Sequence, residues 1–232
     1  MTSAKDIWKM AIEAAGGEVW QKPRFLHLSG EARFSPYASH SNVLDFDTYK
    51  MYRVFPESND AARKANGKVR FDAAEGEEDF FKLCFDGQKS HLYLSEKAQP
   101  HAEHFKWSNN FGFSIFRFAD REGFEIERMA DDKADGFACF VLKIRDTNNM
   151  DTYFWLDKEK GYIRQLGFDT EKGWHHRIYS NFVRTESGFL QPERLGIYFS
   201  GLKWMDIYWQ HYEINNPIPD EIFILRERQD GT

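Results

Sequence analysis

From Arg24 onward most of the chain is a succession of short runs in which side chains alternate in character every second residue, separated by polar turns, many of which contain glycine. A period of two sends successive side chains to opposite faces of a pleated strand, and a period of 3.6 would be needed to keep them on one face of a helix. RFLHLSGEARFS (24–35), VLDFDTYKMYRVF (43–55), KVRFDAA (68–74), DFFKLCFDG (79–87) and KSHLYLS (89–95) read as strands of an antiparallel meander. Asp86-Gly87 supplies a favoured hairpin turn between the last two. Neither of the first two alternations is clean, which predicts strands with both faces partly covered. A second series follows in FEIERM, GFACFVLKIRD, the long run 152–183, GFLQPERLGIYFS and LKWMDIYWQHYEI. The turns 131–136, 158–161, 170–173 and 186–188 join these strands, and each ends in a glycine able to take positive φ. The expectation is a mainly β (α+β) chain of about ten or eleven strands, almost wholly antiparallel.

Two segments break the pattern. In MTSAKDIWKMAIEAAGGE, Ser3 can cap a helix with Asp6 three residues on. Ile7, Trp8, Ala11, Ile12 and Ala15 then form its apolar stripe, and Gly16-Gly17 ends it. In the middle of the chain, HFKWSNNFGFSIFRFADREGF carries Phe111, Phe113, Ile115, Phe116 and Phe118 after a possible cap at Ser108 or Asn109. This predicts a helix over 108–118, too apolar to lie exposed, that plugs or covers a concave sheet face.

Aromatic residues make up 17% of the chain, 22 of them Phe, as a wide sheet with a large concave face requires. On the last long strand Trp204, Tyr208 and Tyr212 are expected to share one face, and Ile207, Trp209 and His211 the other. Tyr198 lies on the preceding strand and Trp155 on an earlier one. Together with Arg164 and the Phe-rich segment they suggest an apolar cavity with a few polar groups.

Other chemistries find little support. Thirty-one basic residues against 37 acidic give a net charge of -6 with no block of like charges, which argues against nucleic acid. Cys84 and Cys139 sit within strands and are expected to be buried free thiols. His175 and His176 are adjacent on a strand, so their rings point to opposite faces. His101 and His104 have ligand spacing but no evident third partner, and no metal or other cofactor is expected. Acidic pairs fall in turns, except for Asp157, and no nucleophile elbow or phosphate loop occurs. The opening residues show no signal-peptide pattern and no lipid-attachment cysteine, and no run is long enough to span a bilayer, so a cytoplasmic chain is the first expectation and a periplasmic one the alternative. No linker divides residues 1–232, which read as one domain.

The order of parts in the second half is familiar. YFWLD leads through a glycine turn to YIRQLGF with an inward Arg164. HHRIYSNFV, GFLQPERLGIYF with Pro192, an aromatic strand and an Asn-Pro-Pro-Asp-Phe tail follow. Near the start, Ala11, Ala14, Gly16 and Gly17 precede Trp20. This pattern resembles the LolA/LolB-like superfamily of outer-membrane lipoprotein-sorting proteins and their uncharacterised bacterial relatives. The resemblance implies a curved, unclosed antiparallel half-barrel whose concave face is covered by helices and holds acyl chains or other hydrophobic groups. Phe111, Phe113, Phe116, Trp155, Arg164, Tyr198, Tyr208 and Trp209 would then line the cavity, with Arg164 placed to pair with an acidic head group. A hydrophobic small molecule or acyl chain is the expected partner, with a protein partner possible. The rival expectations are an interaction module with a self-filled aromatic core, and a cavity enzyme using Asp157 or His211. In the tail INNPIPDEIF, Pro217 and Pro219 should end strand pairing, and Phe223 should return to plug an end of the core.

Overall fold

The computed structural model of the protein describes residues 2–35, 43–55, 67–99, 113–171 and 173–225. Helix α1 (Ala4–Ala15) begins where the sequence predicts. The Ser3 hydroxyl accepts from the Asp6 backbone N–H, and Ile7, Trp8, Ala11, Ile12 and Ala15 are its buried stripe. A short helix α2 (Glu18–Gln21) follows, burying Trp20.

The first series of strands is β1 (Phe25–Phe34), β2 (Leu44–Val54), β3 (Lys68–Glu75), β4 (Glu78–Phe85) and β5 (Ser90–Leu94). After α3 (Phe113–Arg117) come β6 (Glu125–Arg128), β7 (Asp132–Ala134), β8 (Phe137–Arg145) and β9 (Asp151–Asp157). The chain continues through β10 (Ile163–Thr170), β11 (Gly173–Arg184), β12 (Leu190–Phe199) and β13 (Leu202–Ile214). These form one thirteen-stranded antiparallel sheet among the described residues, where about ten or eleven strands are expected. The strand not expected from sequence is the three-residue β7, which lies within the expected turn 131–136 and pairs with β8, as the expected β6 also does. Among the same residues no helix is long and apolar enough to cross a membrane.

The strand order is β5-β4-β3-β2-β1-β13-β12-β11-β10-β9-β8-β6. Two meanders are thus joined where β1 pairs with β13, and the sheet stays open. The connection from β5 to β6 has to pass from one edge of the sheet to the other. α3 lies on that connection and is tied down by the N-terminal helices: the Trp8 indole N–H donates to the Phe116 carbonyl at 2.7 Å, and the Gln21 amide to the Arg117 carbonyl at 3.1 Å. Both bonds satisfy carbonyls that the end of a helix leaves open. The remainder of the predicted 108–118 helix, including Phe111, lies outside the described residues.

β-bulges bend the sheet, and they explain why the alternation in the sequence is unclean. Between β1 and β2 the register passes from Gly30–Tyr49 to Ala32–Phe46, which puts Phe46 and Tyr49 in one apolar cluster although they are three residues apart. Between β1 and β13 it passes from Ser29–His211 to Gly30–Trp209. A Cβ at Gly30 would stand 1.9 Å from the Tyr208 carbonyl oxygen, so only glycine fits there.

The four predicted turn glycines, Gly136, Gly161, Gly173 and Gly188, all have positive φ. Asp86 closes the β4–β5 hairpin, its carboxylate accepting from the Gln88 and Lys89 amides. Cys84 and Cys139 are buried free thiols. The tail forms a 3-10 turn (Asp220–Phe223) that buries Phe223, and it sits on β3 and β4. Arg70 donates to the Ile222 carbonyl at 2.6 Å, and the Cys84 thiol to the Phe223 carbonyl at 3.2 Å. Arg70 and Cys84 are cross-strand partners whose neighbours Phe71 and Leu83 face the concave side, so Phe223 plugs the convex face.

Candidate functional site

Among the described residues most buried apolar side chains fall into two clusters. One joins α1, α2 and α3 to β8–β12, and the other joins β1–β4 to β13, with Leu195 and Ile214 packed against both. Between them lies a cavity of about 610 Å³. Leu26, Leu28, Tyr49 and Met51 line it from β1 and β2, and Phe71, Phe81 and Leu83 from β3 and β4. Phe168, Tyr179, Leu195, Ile207 and Trp209 are among the residues of the rest of the wall. It has the size and apolar make-up of a small-molecule pocket, for which roughly 300–1,000 Å³ is usual.

Curvature is what makes the cavity. Arg53 on β2 and Arg177 on β11 both line it, and the Arg177 charge acts on Arg53. In a flat sheet four strand steps would hold them about 19 Å apart. Burial first, and then Arg177, pull Arg53 from its ordinary 12.5 down to about 9. Arg117 on α3 lines the same cavity and is also brought to about 9, by burial first and then by Arg53. Its guanidinium stands 4.4 Å from the Trp20 ring and 5.1 Å from that of Phe55. His175 faces the cavity between Phe168 and Phe199 and accepts from the Arg177 Nε at 3.0 Å. Burial first, and then Arg177, hold the His175 ring well below the usual histidine range, hence neutral.

The residues singled out from sequence are dispersed. Phe113 lines the cavity, 4.7 Å from Tyr179, and Trp209 lines it, 5.6 Å from Tyr49. Phe116 is buried behind them against Trp8, Trp20 and Phe154. Trp155, Tyr198 and Tyr208 are not among the lining residues. The Trp155 indole donates to Asp132, Tyr198 stacks on His176 at 4.6 Å, and Tyr208 is 41% exposed. Parity explains the last strand. The β12–β13 register passes from Ile197–Met205 to Tyr198–Lys203, so Trp204 is an extra residue, and Trp204, Met205, Ile207 and Trp209 all line the cavity. The expected grouping of Trp204 with Tyr208 therefore fails.

Arg164 is engaged elsewhere. Its Nε and Nη2 donate to the Asp157 carboxylate at 3.0 and 2.6 Å, and its guanidinium packs 3.7 Å from the Phe137 ring. Burial pushes the Asp157 carboxyl up, but hydrogen bonds from Arg164 and from the Lys160 and Glu159 amides outweigh it and hold the group below 3.8. His211 is exposed. His175 and His176 do point to opposite faces, and among the described residues no group of three or more His, Cys, Asp or Glu could hold a metal ion. His101 and His104 lie outside the described residues.

An open, curved antiparallel sheet with helices on one face and an apolar cavity beneath them defines a half-barrel. This is the fold of the LolA superfamily. A LolA superfamily protein from Nitrosomonas europaea matches over 97% of this chain and 99% of its own, with a TM-score of 0.57 at 13% identity. A putative outer-membrane lipoprotein-sorting domain from Vibrio parahaemolyticus matches over 95% and 97%, with a TM-score of 0.55 at 12% identity. A DUF1329 family protein from Desulfovibrio piger matches over 97% and 98%, with a TM-score of 0.57 at 10% identity. No protein-family model and no curated protein matches the sequence.

Proposed function

We propose that this protein is a non-enzymatic carrier, a single LolA-like domain that holds one hydrophobic small molecule or acyl chain in the concave face of its sheet. The observation that carries the reading is the apolar cavity of about 610 Å³ left between the two core clusters. Removing apolar surface from water drives binding, at roughly 25 cal/mol per Å². Phe113 and Trp209 contact the chain from the helix side and the strand side. A self-filled interaction module would have no space of this size, and an enzyme using Asp157 or His211 would need them at the cavity, where neither lies. The similarity to a putative outer-membrane lipoprotein-sorting domain favours a periplasmic setting over a cytoplasmic one.

The test is solvent extraction of protein purified without detergent, followed by mass spectrometry. A stoichiometric acyl compound is the expected result. An empty extract, together with a melting temperature indifferent to added lipids, would overturn the reading, because a ligand bound only to the native state must raise it.

A further inference from the structure

Three guanidinium groups project into a cavity whose walls are otherwise largely apolar. Arg53 is 6% exposed and Arg117 3%, and Arg177 is half-buried. They are clustered: Arg53 and Arg117 stand over the same Phe55 ring, at 5.5 and 5.1 Å, and Arg177 acts electrostatically on Arg53. The buried Nε of Arg117 has no hydrogen-bond partner among the described residues. Glu171 is the one carboxylate in the described lining, and it is an exposed turn residue.

Buried cations repel one another and lose hydration, so a core designed only for stability would avoid this arrangement. Aromatic faces around Arg117 offset part of that loss. They supply no acceptor for its N–H groups, whereas a carboxylate or phosphate would accept from several guanidinium forks at once. The β3–β4 wall, with Phe71, Phe81 and Leu83, offers an apolar surface for a tail.

We propose that Arg53, Arg117 and Arg177 form a receptor for the anionic head of a single-chain amphiphile whose tail lies in the same cavity. The proposal rests on the carrier reading and narrows it: the cargo is an acid or a phosphate monoester, not a neutral lipid. Arg164, the arginine that sequence pattern puts forward for this task, is already occupied by Asp157.

The experiment uses delipidated full-length protein and isothermal titration with hexadecanoate, hexadecyl phosphate, hexadecanol and inorganic phosphate. Both anionic chains should bind at least tenfold more tightly than hexadecanol, and whichever binds more tightly identifies the head. Inorganic phosphate alone should bind at least a hundredfold more weakly than hexadecyl phosphate, since it lacks the tail. Arg177→Gln, at a half-buried position, should lose the preference for anions while hexadecanol affinity stays within about twofold. Arg117→Met should do the same. Because it removes a buried charge it should melt no lower than wild type, which a purely structural arginine would not allow. Equal binding of hexadecanol and the anions would overturn the head-group receptor and leave the carrier reading standing. Failure of every chain to bind would overturn both. Tight binding of inorganic phosphate alone, with no gain from the chain, would mean a free-phosphate site and would also refute the proposal.

Discussion

Replacing Phe223 by alanine tests whether the tail acts as a clamp on the sheet. The side chain is 2% exposed, and its ring lies under the Lys68 ammonium at 5.8 Å. The hydrogen bonds that seat the turn, Arg70 to the Ile222 carbonyl and Cys84 to the Phe223 carbonyl, use backbone acceptors that alanine retains. The loss is therefore that of the ring alone, and a buried Phe→Ala change costs about 3–5 kcal/mol. For a chain of this size each kcal/mol shifts the melting temperature by about 2–4 °C, so thermal unfolding should occur roughly 10 °C earlier. Ile224→Ala, at the adjacent 61% exposed position, is the control and should stay within about 0.5 kcal/mol of wild type. Differential scanning calorimetry reads both, with a thiol reagent reporting on Cys84. If Phe223→Ala melts with the wild type while Cys84 becomes reactive, the turn detaches locally and the sheet does not depend on it.

Gly30→Ala drives a Cβ into the Tyr208 carbonyl, so the β1–β13 pairing has to shift; a loss of at least about 2 kcal/mol is expected, read by urea denaturation. Asp157→Asn leaves Arg164 buried without its carboxylate and should cost about 3–5 kcal/mol at neutral pH. Because the folded Asp157 titrates below 3.8, its contribution is fully present above that pH and is lost as pH falls through the lower folded value, so the asparagine variant should show a shallower acid limb in stability against pH. Phe113→Asp places a charge at the cavity wall beside Tyr179 and should reduce acyl-chain uptake at least tenfold while far-UV circular dichroism is unchanged; retained uptake would remove Phe113 from the site.

Features written into a few neighbouring residues are legible in the sequence. The Ser3 cap, the glycine turns and the Asp86 hairpin are local, and each is where its pattern puts it. What a strand face looks at is not local once a bulge intervenes. Trp204 and Tyr208 have the same parity in the sequence but lie on different faces, because the register with β12 skips Trp204. The cationic part of the cavity is missed for a related reason, since an arginine in a strand reads as a solvent-facing residue. A signal was nevertheless present: Tyr49, Met51 and Arg53 alternate in YKMYRVF, so Arg53 belongs to the face that carries its apolar neighbours. The proximity of Arg53 to Arg177 depends on four strand pairings and a bend, and no short-range pattern encodes that.

The split core also sets a limit on how the cavity can be closed. Each cluster completes itself with its own aromatics: Trp8, Trp20 and Phe116 beside α1–α3, and Phe46, Phe80 and Phe81 beneath β2–β4. Leu195 is one of two residues that pack against both, and it faces the open volume. If that volume is empty in the unliganded protein, a larger apolar side chain at this position has room to enter it and gains contacts with both clusters. Leu195→Trp should then be stabilising, by about 0.5–2 kcal/mol as other cavity-filling changes are. It should also weaken acyl-chain binding, because the indole takes the ligand's place. The opposite outcome is equally informative. In a closely packed core the same substitution is overpacked and costs about 1–3 kcal/mol. A fall in melting temperature would show that the two clusters already meet at Leu195, and the carrier reading would lose its central space.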